Sequence, residues 1–224
     1  MKKSTAAALV AGLVVLGAAP AFAAHDGNPS GKVESYTYSL DAVQSGDVPG
    51  TSGVTGTTRI KALPNGKVQV TVEASGLAAG LPHAMHLHDS TGADRAISQC
   101  PGAGADANGN GIGTVVEGAP FCGGILASLT TTGDTSPASG LALDRFPVAD
   151  ENGDLSYSRT FTPLDATVYA QAGSAQVVVH GIDFDGNGAY GFNPDNYFAA
   201  MPSSLNPALP LEATVPVLCG GIAN

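Results

Sequence analysis

The segment from Lys61 to Val70 (KALPNGKVQV) constrains the fold of this chain more than any other. It places Asn65 and Gly66 between two stretches in which apolar and polar residues alternate, 53–63 (GVTGTTRIKAL) and 67–74 (KVQVTVEA). Asn-Gly between two such stretches is a strong signal for a β-hairpin, because both residues tolerate the positive φ angles of a tight turn. The sequence therefore predicts an antiparallel pair of strands here.

Further short segments carry the same β-type pattern, and no segment beyond the N-terminus carries a helical period. They are 34–40, 83–88, 125–131, 154–161 and 175–180. The chain has 30 glycines, 15 prolines and no tryptophan, so turns interrupt it often. This pattern predicts one all-β domain, an antiparallel sandwich or barrel of about eight strands. Long loops at 89–124 and 194–216 are expected to be functional or mobile.

The N-terminus is typical of a cleaved secretory signal. Lys2 and Lys3 precede an apolar run of 14 residues at 6–19, and Ala-Phe-Ala follows at 21–23. Such a run is too short to span a bilayer, and nothing later in the sequence is long and apolar enough to do so. We therefore expect residues 1–23 to be removed and 24–224 to form one secreted or extracytoplasmic domain. In it, 24–52 carries the first strand and 53–224 forms the main β-domain.

The charge balance bears on binding partners. Removing Lys2 and Lys3 leaves 9 − 2 = 7 basic against 19 acidic residues, a net charge of −12. Nucleic acid and anionic membranes are poor partners for such a surface, whereas cations are suitable ones. The sequence leaves the oligomeric state open.

Three of the five histidines fall within six positions, at His83, His86 and His88. Residues two apart face the same side of a strand, so His86 and His88 share one face. His83, Met85 and Leu87 share the other, which the apolar pair marks as the core side. Strand spacing brings the two imidazoles of a His-x-His pair within reach of one metal ion. The alternative is a pair of surface histidines that bind nothing.

A fourth histidine, His180, ends the apolar run 177–180 (VVVH) and precedes Gly181. This arrangement places an imidazole at the rim of the core. The alternative interpretation is a histidine whose ring is satisfied by a backbone carbonyl. The cysteines are Cys100, Cys122 and Cys219, of which two should pair in an exported protein. The spacing alone does not choose the pair.

The segment 106–117 (DANGNGIGTVVE) matches the twelve-residue calcium loop pattern. The matching positions 1, 3, 5, 7 and 12 are Asp106, Asn108, Asn110, Ile112 and Glu117. Only two of these residues are charged and we predict no flanking helix, so any calcium affinity should be weak. The alternative is a flexible turn. A second segment, 183–188 (DFDGNG), repeats the opening of this pattern but has no Glu at position 12, so a tight turn is favoured over a second ion site. Asp183 and Asp185 are also candidate hydrogen-bond acceptors for a metal-bound imidazole.

Four segments in this order resemble the copper/zinc superoxide dismutases. They are 64–68 (PNGKV), 76–88 (GLAAGLPHAMHLH), 178–180 (VVH) and 218–223 (LCGGIA). The resemblance implies a Greek-key β-barrel in which His86, His88 and His180 bind copper and His83 has a structural role. It also implies a Cys100–Cys219 disulfide, which leaves Cys122 as a thiol or in a disulfide between molecules.

The sequence departs from that family at two places. No histidine occurs between His88 and His180, so the family's bridging and zinc histidines are missing and zinc is not expected. The segment 214–218 (TVPVL) lacks the family's catalytic arginine, although Arg95 or Arg145 could fold over the site. A centre without a fixed cation guides the superoxide anion poorly.

Three functions therefore compete. The first is an exported copper-binding protein with weak or no dismutase activity. The second is a copper-only superoxide dismutase, which would convert superoxide into hydrogen peroxide and oxygen. The third is a non-catalytic structural or interaction domain ordered by calcium. No residue is assigned a catalytic role.

Overall fold

The computed structural model describes residues 31–89 and 100–221, so the predicted signal peptide lies outside the described residues. The described residues form eight β-strands, which confirms the predicted all-β class. The strands are β1 Glu34–Ala42, β2 Thr55–Ala62, β3 Val68–Ser75, β4 Met85–His88, β5 Ile125–Ser128, β6 Leu155–Phe161, β7 Gln176–His180 and β8 Pro216–Gly220.

All eight strands belong to one antiparallel sheet, in the order β5-β4-β7-β8-β1-β2-β3-β6. The sheet curls into a half-barrel with β5 and β6 at its two ends. Strands distant in sequence lie side by side, as β3 and β6 or β4 and β7 do, so long connections cross between the halves in the Greek-key manner.

The predicted hairpin joins β2 and β3. Ala62 faces Val68 in the register, and the Leu63 backbone nitrogen donates to the Lys67 carbonyl at 2.8 Å. Gly66 takes a φ of 77°, a left-handed value that glycine adopts without strain. The turn and the alternation thus act together to fix which face of β3 is buried.

The core lies between the two halves of the curled sheet. Ile60 and Val70 from one half pack in the same buried cluster as Met85, Leu87 and Val179 from the other. Burying Met85 and Leu87 turns the alternate residues of β4 to the opposite face, as predicted. This packing decides where the histidines of β4 point.

Two short α-helices were not predicted: α1 Val115–Cys122 and α2 Ala166–Ala170. Both are too short to show a helical period, and both begin at capping interactions. The Glu117 carboxylate accepts from the Thr114 backbone nitrogen at 3.0 Å, and Asp165 accepts from the Thr167 nitrogen at 2.8 Å. The expectation that no helix flanks the candidate calcium loop is therefore wrong. Neither helix has the length or apolarity needed to span a membrane, and the same holds throughout the described residues.

A disulfide joins Cys100 to Cys219 on β8, with the two Cα atoms 5.7 Å apart. This is the pairing that the family resemblance implied. It closes a loop across a sequence separation of 119 residues. In the chain-entropy model such a bond destabilises the unfolded state by about 5 kcal/mol. Cys122 is a buried thiol outside this disulfide and packs against Cys219 and Val178.

Candidate metal centre

Two adjacent strands position the candidate metal ligands. His86 and His88 lie on β4 and His180 ends β7, where His86 pairs with Val178 across the two strands. His180 shares the face of Val178 because the residues are two apart, so all three imidazoles lie on the side of the sheet opposite to the Met85–Leu87 core. The ring centroids of His86 and His180 are 5.1 Å apart, and those of His86 and His88 are 5.8 Å apart.

Each of the three imidazoles uses one nitrogen to bind a backbone carbonyl. His86 Nε2 contacts the Gly140 oxygen at 3.0 Å, and His88 Nδ1 contacts the Gly123 oxygen at 3.1 Å. His180 Nδ1 contacts the Thr214 oxygen at 2.7 Å. A carbonyl only accepts, so these nitrogens carry the hydrogens and the tautomer of each ring is fixed.

The opposite nitrogens, His86 Nδ1, His88 Nε2 and His180 Nε2, are buried and have no hydrogen-bond partner. One ligand atom from each ring lies within 4.8 Å of the other two. Buried polar atoms are normally paired, so three unpaired lone pairs at one point require an explanation. A metal ion bound by all three would satisfy them.

Burial keeps the three imidazoles neutral. Loss of hydration lowers the pKa of His88 and of His180 to about 4. The pKa of His86 lies well below its ordinary value, because of burial and of the neighbouring His180 and His88 rings. A neutral imidazole is the form that binds metal, so no proton has to be displaced from the ligand nitrogens at neutral pH.

His83 lies apart from this group. Its Nδ1 contacts the His180 carbonyl at 2.9 Å, its Nε2 contacts the Ala78 carbonyl at 3.2 Å, and the side chain is fully buried. Burial lowers its pKa, so the neutral ring has one hydrogen to donate, and the shorter contact receives it. His83 thus links the segment before β4 to the backbone of the ligand His180, although its structural role stays a prediction.

The turn that receives His86 is held by a hydrogen-bond network that sequence reasoning missed. Asp134 accepts from the Ser136 backbone nitrogen at 3.0 Å and from the Ser139 hydroxyl at 2.8 Å. These bonds hold the pKa of Asp134 well below its usual range. Gly140, which follows Ser139 in the chain, supplies the carbonyl that orients His86. An Asp-Thr-Ser-Pro turn at 134–137 was the available signal.

Arg145 belongs to the same network rather than to the metal centre. Its guanidinium lies 3.1 Å from Asp134 Oδ2 and donates to the Ser139 hydroxyl. His86, His88 and His180 line a cavity of about 540 Å³, and Arg145 does not line it. Among the residues that the structure describes, no Lys, Arg, Asp or Glu side chain lines this cavity. Arg95 lies outside the described residues.

The candidate calcium loop is folded by its own hydrogen bonds. Asp106 Oδ1 accepts from the Gly109 nitrogen at 2.9 Å, and Oδ2 accepts from the Gly111 nitrogen at 2.8 Å. Glu117 Oε1 accepts from the Asn108 nitrogen at 3.2 Å. The carboxylates of Asp106 and Glu117, at positions 1 and 12 of the pattern, thus both accept hydrogen bonds from backbone nitrogens of the same short loop. Helix α1 begins inside the twelve-residue segment, and calcium binding stays a prediction.

Asp183 and Asp185 do not accept hydrogen bonds from the ligand imidazoles. The backbone carbonyls of Gly123, Gly140 and Thr214 take that role, so this prediction is wrong. Asp183 instead accepts from the Gly186 nitrogen at 2.9 Å, as expected of a tight turn. Carboxylate oxygens of Asp183, Asp185 and the buried Glu212 lie within 4.8 Å of one another.

Comparison with known proteins gives matches among solved structures but none by sequence. No protein-family model matches the sequence, and no curated protein matches it significantly. Two solved structures of Candida albicans superoxide dismutase 5 are similar. A point mutant shares 16% identity over 65% of this chain and 82% of that chain, with a TM-score of 0.34. The Cu(II) form shares 15% identity over 66% and 84%, with a TM-score of 0.35. Because both TM-scores are below 0.5, no inference below rests on this likeness.

Proposed function

We propose that this is an exported copper-binding protein that holds one copper ion through His86, His88 and His180, with weak or no superoxide dismutation. The observation that carries the proposal is the convergence of three buried imidazoles, each with one unpaired nitrogen and each offering a ring nitrogen within 4.8 Å of the other two. Three neutral imidazoles suit three-coordinate Cu(I), or Cu(II) with water added. The Irving–Williams order favours copper over the other divalent ions of the first transition row.

The charge around the site supports a binding role over rapid dismutation. Superoxide is an anion, and fast turnover of an anion needs a fixed cation near the metal. The described cavity wall carries no cationic side chain, and Arg145 is engaged with Asp134. The three imidazoles line the cavity while their unpaired nitrogens are buried, an arrangement that suits slow rather than fast access of a small molecule. Copper would supply the redox chemistry, and the protein would hold the imidazoles neutral and oriented.

Copper loading and activity should be measured on one sample of the mature domain. We expect one copper per chain by elemental analysis, an axial EPR signal with nitrogen couplings, and a dismutation rate close to that of metal-free protein. A rate comparable to that of an efficient dismutase would favour the copper-only enzyme instead. Failure to retain copper after dialysis against a weak chelator would contradict the proposal.

We further propose that the loop from Asp106 to Glu117 binds calcium weakly. Support comes from the approach of both carboxylates to one turn and from the sequence pattern. Calcium should slow proteolysis between residues 89 and 124 at least several-fold relative to EGTA, with magnesium as the control. The variant Asp106→Asn should lose that protection. Equal cleavage rates with and without calcium would rule the site out, whereas protection without copper binding would favour a structural domain.

A further inference from the structure

The cavity above the three histidines is larger than a diatomic ligand needs. Its volume is about 540 Å³, whereas one water molecule occupies about 30 Å³ of the liquid. Cavities that bind small organic molecules span roughly 300–1,000 Å³. The space therefore fits an organic molecule beside the metal and not only oxygen or superoxide.

The wall of the cavity is apolar. Its side chains come from separate segments of the chain, and they are Ala84, Pro101, Val115, Ala119, Ile125, Leu141, Val178 and Leu205. These residues belong to helix α1, to the strands β5 and β7 and to four loop segments. Against this wall a charged group would lose its hydration without gaining a partner, and only a group bound at the metal itself would be compensated. The part of the ligand that fills the apolar space is therefore uncharged.

The polar groups of the wall are already paired, with one exception. The carbonyls of Gly123, Gly140 and Thr214 receive imidazole hydrogens, and the Thr214 hydroxyl bonds to the Ser203 hydroxyl at 2.8 Å. Among the wall side chains that the structure describes, the nitrogens without a partner are those of His86, His88 and His180. The metal is therefore the main point of polar recognition that these side chains offer.

The mouth of the cavity is also apolar. Leu141 and Leu205 line the cavity, yet they are 43% and 49% exposed to solvent. Exposed leucines at the entrance of a deep apolar space provide a path along which an apolar molecule can leave water. No charged side chain of the described residues interrupts this path inside the cavity.

We infer that this cavity binds a small, uncharged aromatic molecule whose single nitrogen or oxygen donor coordinates the metal. The coordination rests on the proposed copper function, whereas the apolar contacts do not require copper. Three imidazoles leave a metal at least one further coordination position, and in this inference the ligand takes that position. A rigid aromatic ring fills apolar space while losing little conformational entropy, which favours it over a flexible chain.

The apolar contacts are tested on metal-free protein with the neutral fluorophore N-phenyl-1-naphthylamine, displaced by 4-phenylimidazole. We expect one saturable site, and at least 10-fold weaker binding in Leu141→Asp, which places a charge at the mouth. The matched control is Leu164→Asp, because Leu164 is also an exposed leucine (59%, against 43% for Leu141) and does not line the cavity. Equal binding by wild type and Leu141→Asp would overturn the inference, as would the absence of saturable binding.

The coordination is tested on copper-loaded protein by EPR, with 4-phenylimidazole and azide titrated separately. We expect the neutral aromatic ligand to shift the copper spectrum at a concentration at least 10-fold below that required for azide. Preference for azide would overturn the inference and favour an anion such as superoxide. Fluorophore binding without copper loading would retain the apolar site and discard the coordination together with the proposed function. Copper loading without either ligand effect would overturn the inference and leave the proposed function standing.

Discussion

Replacing His180 with alanine is expected to abolish stoichiometric copper binding, with a loss of affinity greater than 100-fold. The substitution leaves only His86 and His88, both on one strand, so the third direction of coordination disappears. Removing a residue that merely orients a metal ligand typically weakens binding 10- to 100-fold, and removing the ligand itself should weaken it further. The measurement is a competitive titration against a chromophoric copper chelator, with EPR of any copper that remains.

The matched control is His83→Gln. His83 is as deeply buried and contacts the His180 carbonyl at 2.9 Å, but it does not belong to the convergent group. Glutamine retains a donor for that carbonyl, so copper stoichiometry should stay at one per chain. Circular dichroism and urea unfolding establish that both variants fold, and His88→Gln replaces His180→Ala if the latter does not. Copper bound by His180→Ala as tightly as by wild type would place the metal elsewhere.

The alternation of side chains along β4 was enough to predict two of the three histidines of the candidate metal centre. In a strand the facing of each side chain is fixed by its position, so burying Met85 and Leu87 forces His86 and His88 to the other face. The third candidate ligand, His180, is harder to predict from sequence, because β7 pairs with β4 in the sheet but lies far from it along the chain. No periodicity along the chain indicates such a pairing, and only the resemblance to a known family joined His180 to the other two.

The orientation of the imidazoles could not be predicted from sequence. Their acceptors are the backbone carbonyls of Gly140, Gly123 and Thr214, and every residue carries a carbonyl, so side-chain identity gives no signal. Carboxylate side chains, in contrast, can be recognised in a sequence. For that reason Asp183 and Asp185 were predicted, wrongly, to accept the hydrogen bonds of the imidazoles.

Helix α1 and the cavity wall were missed for related reasons. Thr114 and Glu117 have the spacing of a helix capping box, but Glu117 was interpreted as the last position of a calcium loop. One residue can satisfy both patterns, and sequence does not rank them. The cavity is assembled from Pro101, Leu141, Leu205 and other residues that lie in separate loops. Its apolarity emerges only when those loops are brought together.

The metal-free protein is expected to lose about 6 kcal/mol of its unfolding free energy as the pH falls from 7 toward 4. His88 and His180 have pKa values of about 4 in the fold, against an ordinary 6.5. Between pH 4 and pH 6.5 the unfolded chain binds more protons than the folded protein does. The contribution of the neutral histidines to the unfolding free energy is therefore fully present above pH 6.5 and is lost as the pH falls. At 1.36 kcal/mol per pKa unit, each histidine contributes about 3 kcal/mol. Urea unfolding at pH 7, 6, 5 and 4.5 measures the trend.

His83 and His86 also have pKa values lowered by burial, so they add to this loss with the same sign. The carboxylates can be separated from it. Asp134 and Asp165 have lowered pKa values, and their contributions are lost only below their ordinary value of 3.8. The buried Glu212 has a raised pKa and acts with the opposite sign, stabilising the fold as the pH falls through that raised value. The double variant His88→Gln/His180→Gln should therefore have a much shallower pH dependence between 6.5 and 5. An equally steep dependence in that variant would assign the acid sensitivity to other groups.

Copper should also change the dependence of the unfolding free energy on pH. Metal bound only to the folded state raises the unfolding free energy at pH 7 by mass action. Protons compete for the lone pairs that bind the ion, so the difference between loaded and metal-free protein should shrink as the pH falls and vanish when the metal is released. That convergence ties acid sensitivity and copper affinity to the same three nitrogens. Loaded and metal-free curves that stay parallel down to pH 4.5 would show that the metal and the acid-sensitive histidines are independent.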